Sequence, residues 1–158
     1  MLTPAHFFTA YIISDLLVPD ARAYLVQILI FSSIVDLDHI LGILRYARLS
    51  KEERKTISIE QLVDWCRTVV QEPIGILVLL AVLLTFYLSG IRTPLIPLAA
   101  IGFVSHLIID FLSVHTRPLD PIDRRIVILW LDTIKKRFIV ESIYTIVTGT
   151  LFLLIFFH

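Results

Sequence analysis

The sequence predicts an all-α polytopic membrane bundle of about five apolar helices, with one or two amphipathic helices at the interface, in a single domain over residues 1–158. Three observations predict it. The chain is 57% apolar with a mean hydropathy of +0.86, far from the usual balance of a water-soluble domain. Its apolar residues gather into five runs, and a bilayer, which has no water to satisfy a backbone, selects self-satisfied helices. The basic residues fall almost wholly into two of the four connections between those runs.

The first run, Pro4–Val18, is short against the roughly 20 residues of a full span, so it is expected to be tilted, partly buried or re-entrant. Pro4 suits a helix start, and Pro19-Asp20 turns the chain toward the second run, Tyr24–Leu44. The segment before that turn lacks the Lys/Arg-rich start of a secretory signal and carries His6 among its apolar residues, so it reads as a retained helix. Pro73–Leu88 and Leu95–Leu112 follow, separated by Ser89-Gly90 and Pro94, and Ile139–Phe157 completes the set.

Two polar segments separate the spans. Arg45–Glu72 carries Ile57, Leu62, Trp65 and Val69 at helical intervals among charges, which predicts an amphipathic helix lying on the membrane. His115–Glu141 opens irregularly with HTRPLDPIDRR and turns helical toward LWLDTIKKRF. Tyr46, Trp65 and Trp130 suit the interface. The first segment with its flanks holds Arg45, Arg48, Lys51, Arg54, Lys55 and Arg67; the second holds Arg117, Arg124, Arg125, Lys135, Lys136 and Arg137. The opposite connections hold only Arg22 and Arg92, so the N-terminus and both basic segments are expected on the cytoplasmic side. The basic residues read as topology signals and contacts to anionic membrane lipids, and no nucleic-acid partner is expected.

That topology sets seven ionisable groups at one depth: His6, Asp36, Asp38, His39, Glu72, His106 and Asp110. Asp36 and His39 share a helix face at i, i+3, and His106 and Asp110 share one at i, i+4, with Gly102 and Ser105 one turn earlier allowing close approach. Each group near mid-bilayer costs about 2.5–3.5 kcal/mol on insertion scales, so retention calls for a partner. A divalent metal is one such partner, because imidazole plus carboxylate is ligand chemistry for zinc, iron or manganese. The single cysteine, Cys66, excludes both an intrachain disulfide and a sulfur-rich site.

Plainer readings stand beside this one. Asp36 and Asp38 can cap a helix or pair with Arg45 and Arg48, His6 can be an interfacial histidine, and Glu72 before Pro73 can be an ordinary helix-start acid. His115 and Asp120 can line a site or simply a solvated turn, and Glu141 can cap the last helix.

The order His6, then Asp36-Leu37-Asp38-His39, then Ser105-His106 with Asp110 four residues on resembles the inner-membrane-associated metal-dependent hydrolases, also described as LexA-binding. That family is distantly similar to zinc-dependent phospholipase C and the single-strand-specific zinc nucleases. The resemblance spans residues 6 to about 118. It departs where the family carries H-R-G-x-T-H-S, since this chain has Gln71-Glu72-Pro73-Ile74-Gly75, and Val35 replaces the proline of P-D-x-D-H.

The resemblance implies a prokaryotic plasma-membrane hydrolase that cleaves a phosphate ester, with a lipid phosphate expected from the depth of the site. It assigns one or two divalent ions, zinc first, to His6, Asp36, Asp38, His39, His106 and Asp110, with Asp38 or Glu72 as general base. The alternative is a catalytically inactive metal- or lipid-binding protein of the same fold. The sequence leaves the oligomeric state open.

Overall fold

The computed structural model describes residues 3–57, 65, 68–113, 117, 119, 122, 123 and 134–158. Among these the chain is helical, with one isolated bridge between Leu119 and Asp123. The long helices are α1 (Thr3–Leu17), α2 (Leu25–Ser33), α3 (Asp38–Ala47), the short α4 (Lys51–Thr56), α5 (Pro73–Leu88), α6 (Leu95–Ser113) and α7 (Ile134–Phe157). Pro73 stands in the first turn of α5, where its missing N–H is no loss.

Helix α1 is the hub. It packs against α2, α6 and α7, while α6 packs in turn against α2 and α5. One core joins Ala10, Tyr11, Val18, Ala21, Ile28 and Leu98, and a second joins Val35, Ile76, Ala99 and Phe103. Phe152 meets Tyr11 edge-on at 4.8 Å, the favoured aromatic geometry, and fixes α7 on α1. At the α1–α2 turn Asp20 adopts the left-handed conformation that Asp tolerates better than most residues, and Arg22 donates to the Ile155 carbonyl at 2.6 Å. That bond holds one of the last carbonyls of α7, which lack helical partners.

The second apolar run is not one continuous helix as its composition predicts. It tightens to a 3-10 turn at Ile34–Leu37, and the axis bends by 44° before α3. The reason lies in the carbonyls. Those of Ser32 and Val35 receive side-chain donors from elsewhere in the fold, His106 Nδ1 at 2.9 Å and Gln71 Nε2 at 3.3 Å, so the break leaves neither without a partner.

The expected amphipathic helix over Arg45–Glu72 is also subdivided. α3 ends at Ala47 and α4 begins after Ser50, whose hydroxyl and Glu53 form a reciprocal capping box. The Ser50 backbone N–H above all holds the Glu53 carboxyl below its ordinary value, so Glu53 stays ionised at the helix start. A 3-10 turn at Val69–Gln71 then leads into α5. Leu62, Cys66, Arg67, His115, Asp120, Arg124, Arg125 and Trp130 lie outside the described residues, as do the side chains of Asp38, Lys135 and Arg137.

Among the described residues one helical stretch, Phe138–Phe157, is long and apolar enough to cross a membrane. Helices α5 and α6 are apolar but shorter, and the run through α2 and α3 passes only as a bent pair. The outward faces are apolar, including Leu77 and Val78 on α5 and Ile146 and Leu154 on α7, whereas His6, Ser32, His106 and Asp110 are buried.

α2 and α6 touch at Gly102, where an added Cβ would lie 2.9 Å from both the carbonyl carbon and the Cβ of Phe31. Gly102→Ala is therefore expected to weaken folding by about 1–3 kcal/mol through overpacking, despite the better helix propensity of Ala. A chemical-denaturation midpoint unchanged from wild type would show that the helices do not meet there.

Candidate metal centre

Four ionisable side chains meet where the bent second run crosses α1 and α6. His6 comes from the first turns of α1, Asp36 from the 3-10 break, and His106 with Asp110 from one face of α6. Both imidazoles are fully buried and stack with ring centroids 3.9 Å apart at an interplanar angle of 14°. His6 Nε2 lies 3.4 Å from Asp110 Oδ1, and His106 Nε2 lies 3.5 Å from Asp36 Oδ1 and 3.6 Å from Asp110 Oδ2. One ligand-type atom from each of His6, Asp36 and His106 can be chosen so that all lie within 4.8 Å of one another.

The hydrogen bonds decide what this arrangement needs. A carbonyl can only accept, so His106 Nδ1 carries the proton it donates to Ser32, and in the neutral ring Nε2 presents a lone pair to two carboxylates. Beyond the carboxylate contacts just given, neither Asp36 oxygen, neither His6 nitrogen nor His106 Nε2 has a hydrogen-bond partner among the described residues, although all are buried. Buried polar atoms left this way cost about 1–3 kcal/mol apiece, and a cation is the species that satisfies several acceptors at once.

The donor set fits a divalent ion. Three of the separations, 3.4–3.6 Å, match ligands about 2.0–2.2 Å from one tetrahedral ion, whereas the two imidazoles, stacked at 3.9 Å and 14°, aim their in-plane lone pairs at one ion only after one ring turns. Two carboxylates and two neutral imidazoles also balance a charge of two. The bond from Nδ1 to a backbone carbonyl fixes the tautomer and aim of a ligating histidine, as outer partners of metal sites commonly do. A buried group of His6, Asp36 and His106 that can hold a metal ion is thus present, and its chemistry does not choose among zinc, iron and manganese.

The other residues expected at the site are placed differently. His39 lies beside the group, its Nδ1 3.8 Å from Asp36 Oδ1, with its side chain 40% exposed against 12% for Asp36. The Val35 carbonyl orients the Gln71 amide, whose Nε2–H then meets His39 Nδ1 at 3.1 Å, so that Nδ1 accepts and the ring proton sits on Nε2. In this arrangement His39 offers no lone pair to the group. Glu72 is buried as the residue before α5, where its Oε2 accepts the Arg117 N–H at 2.8 Å. Asp38 opens α3, and its side chain lies outside the described set.

Two participants escape sequence reading. Ser32 acts through a backbone carbonyl, which no residue type announces. Gln71 stands in the segment where the family pattern departs, and a lone polar residue ahead of Glu72-Pro73 gives little sign of reaching 36 positions back to Val35. Gly75 in the same segment is explained by packing, since a Cβ there would come within 2.1 Å of the Val69 carbonyl oxygen. No protein-family model, no curated protein and no solved structure matches the chain. The likeness to metal-dependent hydrolases is carried by the motifs alone.

Asp36→Asn keeps the side-chain shape and removes a charge, so zinc affinity is expected to fall at least tenfold in competition with a chromophoric chelator. His39→Ala should change it by less than about threefold, because that ring is already engaged. Equal losses in the two variants would move the centre toward His39. Lowering the pH adds protons that compete for both buried imidazoles, so bound metal, read by elemental analysis after desalting, should decline on acidification and return on neutralisation.

Proposed function

We propose that this chain is a membrane-embedded, metal-dependent hydrolase of phosphate esters that acts on a lipid phosphate at the cytoplasmic face. The observation that carries the reading is the buried group of His6, Asp36 and His106, with Asp110 against both rings and five polar atoms without a hydrogen bond among the described residues. Its accessible edge is the Asp36 and His39 side, where the bend in the second run lies. The apolar outer faces of α5 and α7 support a lipid surrounding, since a water-soluble domain seldom exposes so much large apolar surface. The order of the motifs supports the reaction class.

His6, Asp36, His106 and Asp110 would hold the ion. A divalent metal bound there supplies Lewis acidity toward a phosphoryl oxygen and lowers the pKa of water toward about 7. The remaining work belongs to the chain. Ser32 keeps His106 aimed, Asp110 spans the two imidazoles, and Gln71 holds His39 at the edge through which a headgroup would enter. Asp38 or Glu72 would serve as the general base. Burial of both imidazoles keeps bulk water from the ligands.

A second reading, a metal- or lipid-binding protein without hydrolytic activity, is favoured by one placement. Gln71 and Glu72 stand where the resembling family carries histidines, and both are used to hold backbone, Gln71 at Val35 and Glu72 at Arg117.

Protein purified in mild detergent with zinc or manganese should cleave a chromogenic phosphodiester and a short-chain phospholipid. His106→Ala should abolish both activities together with metal binding. Of Asp38→Asn and Glu72→Gln, the one that removes the base should lower kcat by about 10²–10⁴ while metal content persists. Bound metal without turnover on either substrate would leave the binding protein, and absence of metal would sink both readings.

A further inference from the structure

The surface beside the centre carries a charge pattern that the metal group does not use. Helix α3 is amphipathic in an unusual sense, because its apolar row faces outward: Ile40, Leu41, Ile43 and Leu44 are all about half exposed or more, while Gly42 on the opposite side is buried. At 100° per residue that opposite side also carries His39, Arg45 and Tyr46. An outward apolar row needs an apolar medium.

Helix α4 folds back over the end of α3. Arg54 donates to the Ala47 carbonyl at 2.7 Å and lies 5.3 Å from the Tyr46 ring centroid. Lys55 pairs with Glu52 at 2.9 Å, and Glu53 is taken by the Ser50 capping box. Every acid of α4 is thereby satisfied within it. Arg45, Arg48 and Lys51 stay exposed and make no ion pair among the described residues.

We propose that α3 and α4 form a recognition platform for anionic phospholipids, with the apolar row of α3 set into the outer acyl region and Arg45, Arg48 and Lys51 holding the headgroup charge. The inference rests on the membrane reading above and names the substrate class of that same site. Arg45 is six residues beyond His39, roughly 9 Å along the helix at about 1.5 Å per residue, so the platform adjoins the open edge of the centre. A row of apolar side chains bordered by unpaired cations matches a bilayer surface in both polarity and charge. Each such cation is worth about fivefold in partition toward an anionic surface. A soluble acidic partner would match the cations but not the apolar row between them.

The test counts bound lipid rather than product. The full chain in mild detergent is mixed with equimolar phosphatidylglycerol and phosphatidylcholine, with and without a metal chelator, and retained lipids are counted by native mass spectrometry. Wild type should retain phosphatidylglycerol over phosphatidylcholine by tenfold or more in both conditions. The triple variant R45Q/R48Q/K51Q should fall to within about threefold, the charge-conserving R45K/R48K/K51R should keep the wild-type ratio, and Arg92→Gln on the opposite connection should leave it unchanged. A wild type without preference, or a glutamine triple variant that keeps it, overturns the proposal. Because lipid retention is read without turnover and without metal, it can fail while hydrolysis stands, and hydrolysis can fail while it stands.

Discussion

The hydrogen bond from His106 Nδ1 to the Ser32 carbonyl is the constraint on which the centre depends. It joins α6 to the last turn of α2 at the point where the second apolar run stops being an α-helix. A helix that breaks inside an apolar fold must find partners for the carbonyls it frees, and here the partners are functional-type side chains. His106 takes Ser32, and Gln71 takes Val35. The break therefore does two things at once: it swings Asp36 in against the imidazoles, and it anchors the ring that Asp36 meets.

The approach that permits this bond is steric. Gly102, one turn before His106, lets α6 come against Phe31 of α2 at backbone distance. With the helices that close, His106 Nδ1 reaches the Ser32 carbonyl and Nε2 faces the carboxylates of Asp36 and Asp110. The stacked His6 ring closes the other side, so α1, the hub of the packing, is also a wall of the centre. Packing and ligand geometry are thus the same set of contacts, which is how a small helical fold holds four polar side chains still within an apolar surrounding.

Around that polar interior the exterior is apolar, and the bend gives it a second consequence. By turning 44°, α3 leaves the line of α2 and presents its apolar row outward, with His39 beside Asp36 at its first turn. After the bend His39 stands at the start of α3, where the Gln71 turn meets it at 3.1 Å.

Much of this was legible in the sequence. The apolar runs gave the helices, because their order and approximate limits follow from backbone self-satisfaction and from Pro and Gly punctuation, as at Pro19, Pro73 and Ser89-Gly90. The pairing of His106 with Asp110 followed from i, i+4 spacing alone. The grouping of His6 and Asp36 with them was expected from shared depth, a consequence of counting charges on the connections. What spacing could not decide was which polar residues turn inward together. Asp36 and His39 share a face on an ideal helix, yet the 3-10 break puts Asp36 into the group while Gln71 engages His39 at its edge. Glu72, expected as a general base or a helix-start acid, accepts the Arg117 N–H, a contact 45 positions away that no local pattern encodes. Local periodicity determines which side chains share a helix face; the breaks in those helices, and the backbone carbonyls they release, are settled only when distant segments pack, because each freed acceptor takes whatever donor the tertiary structure delivers.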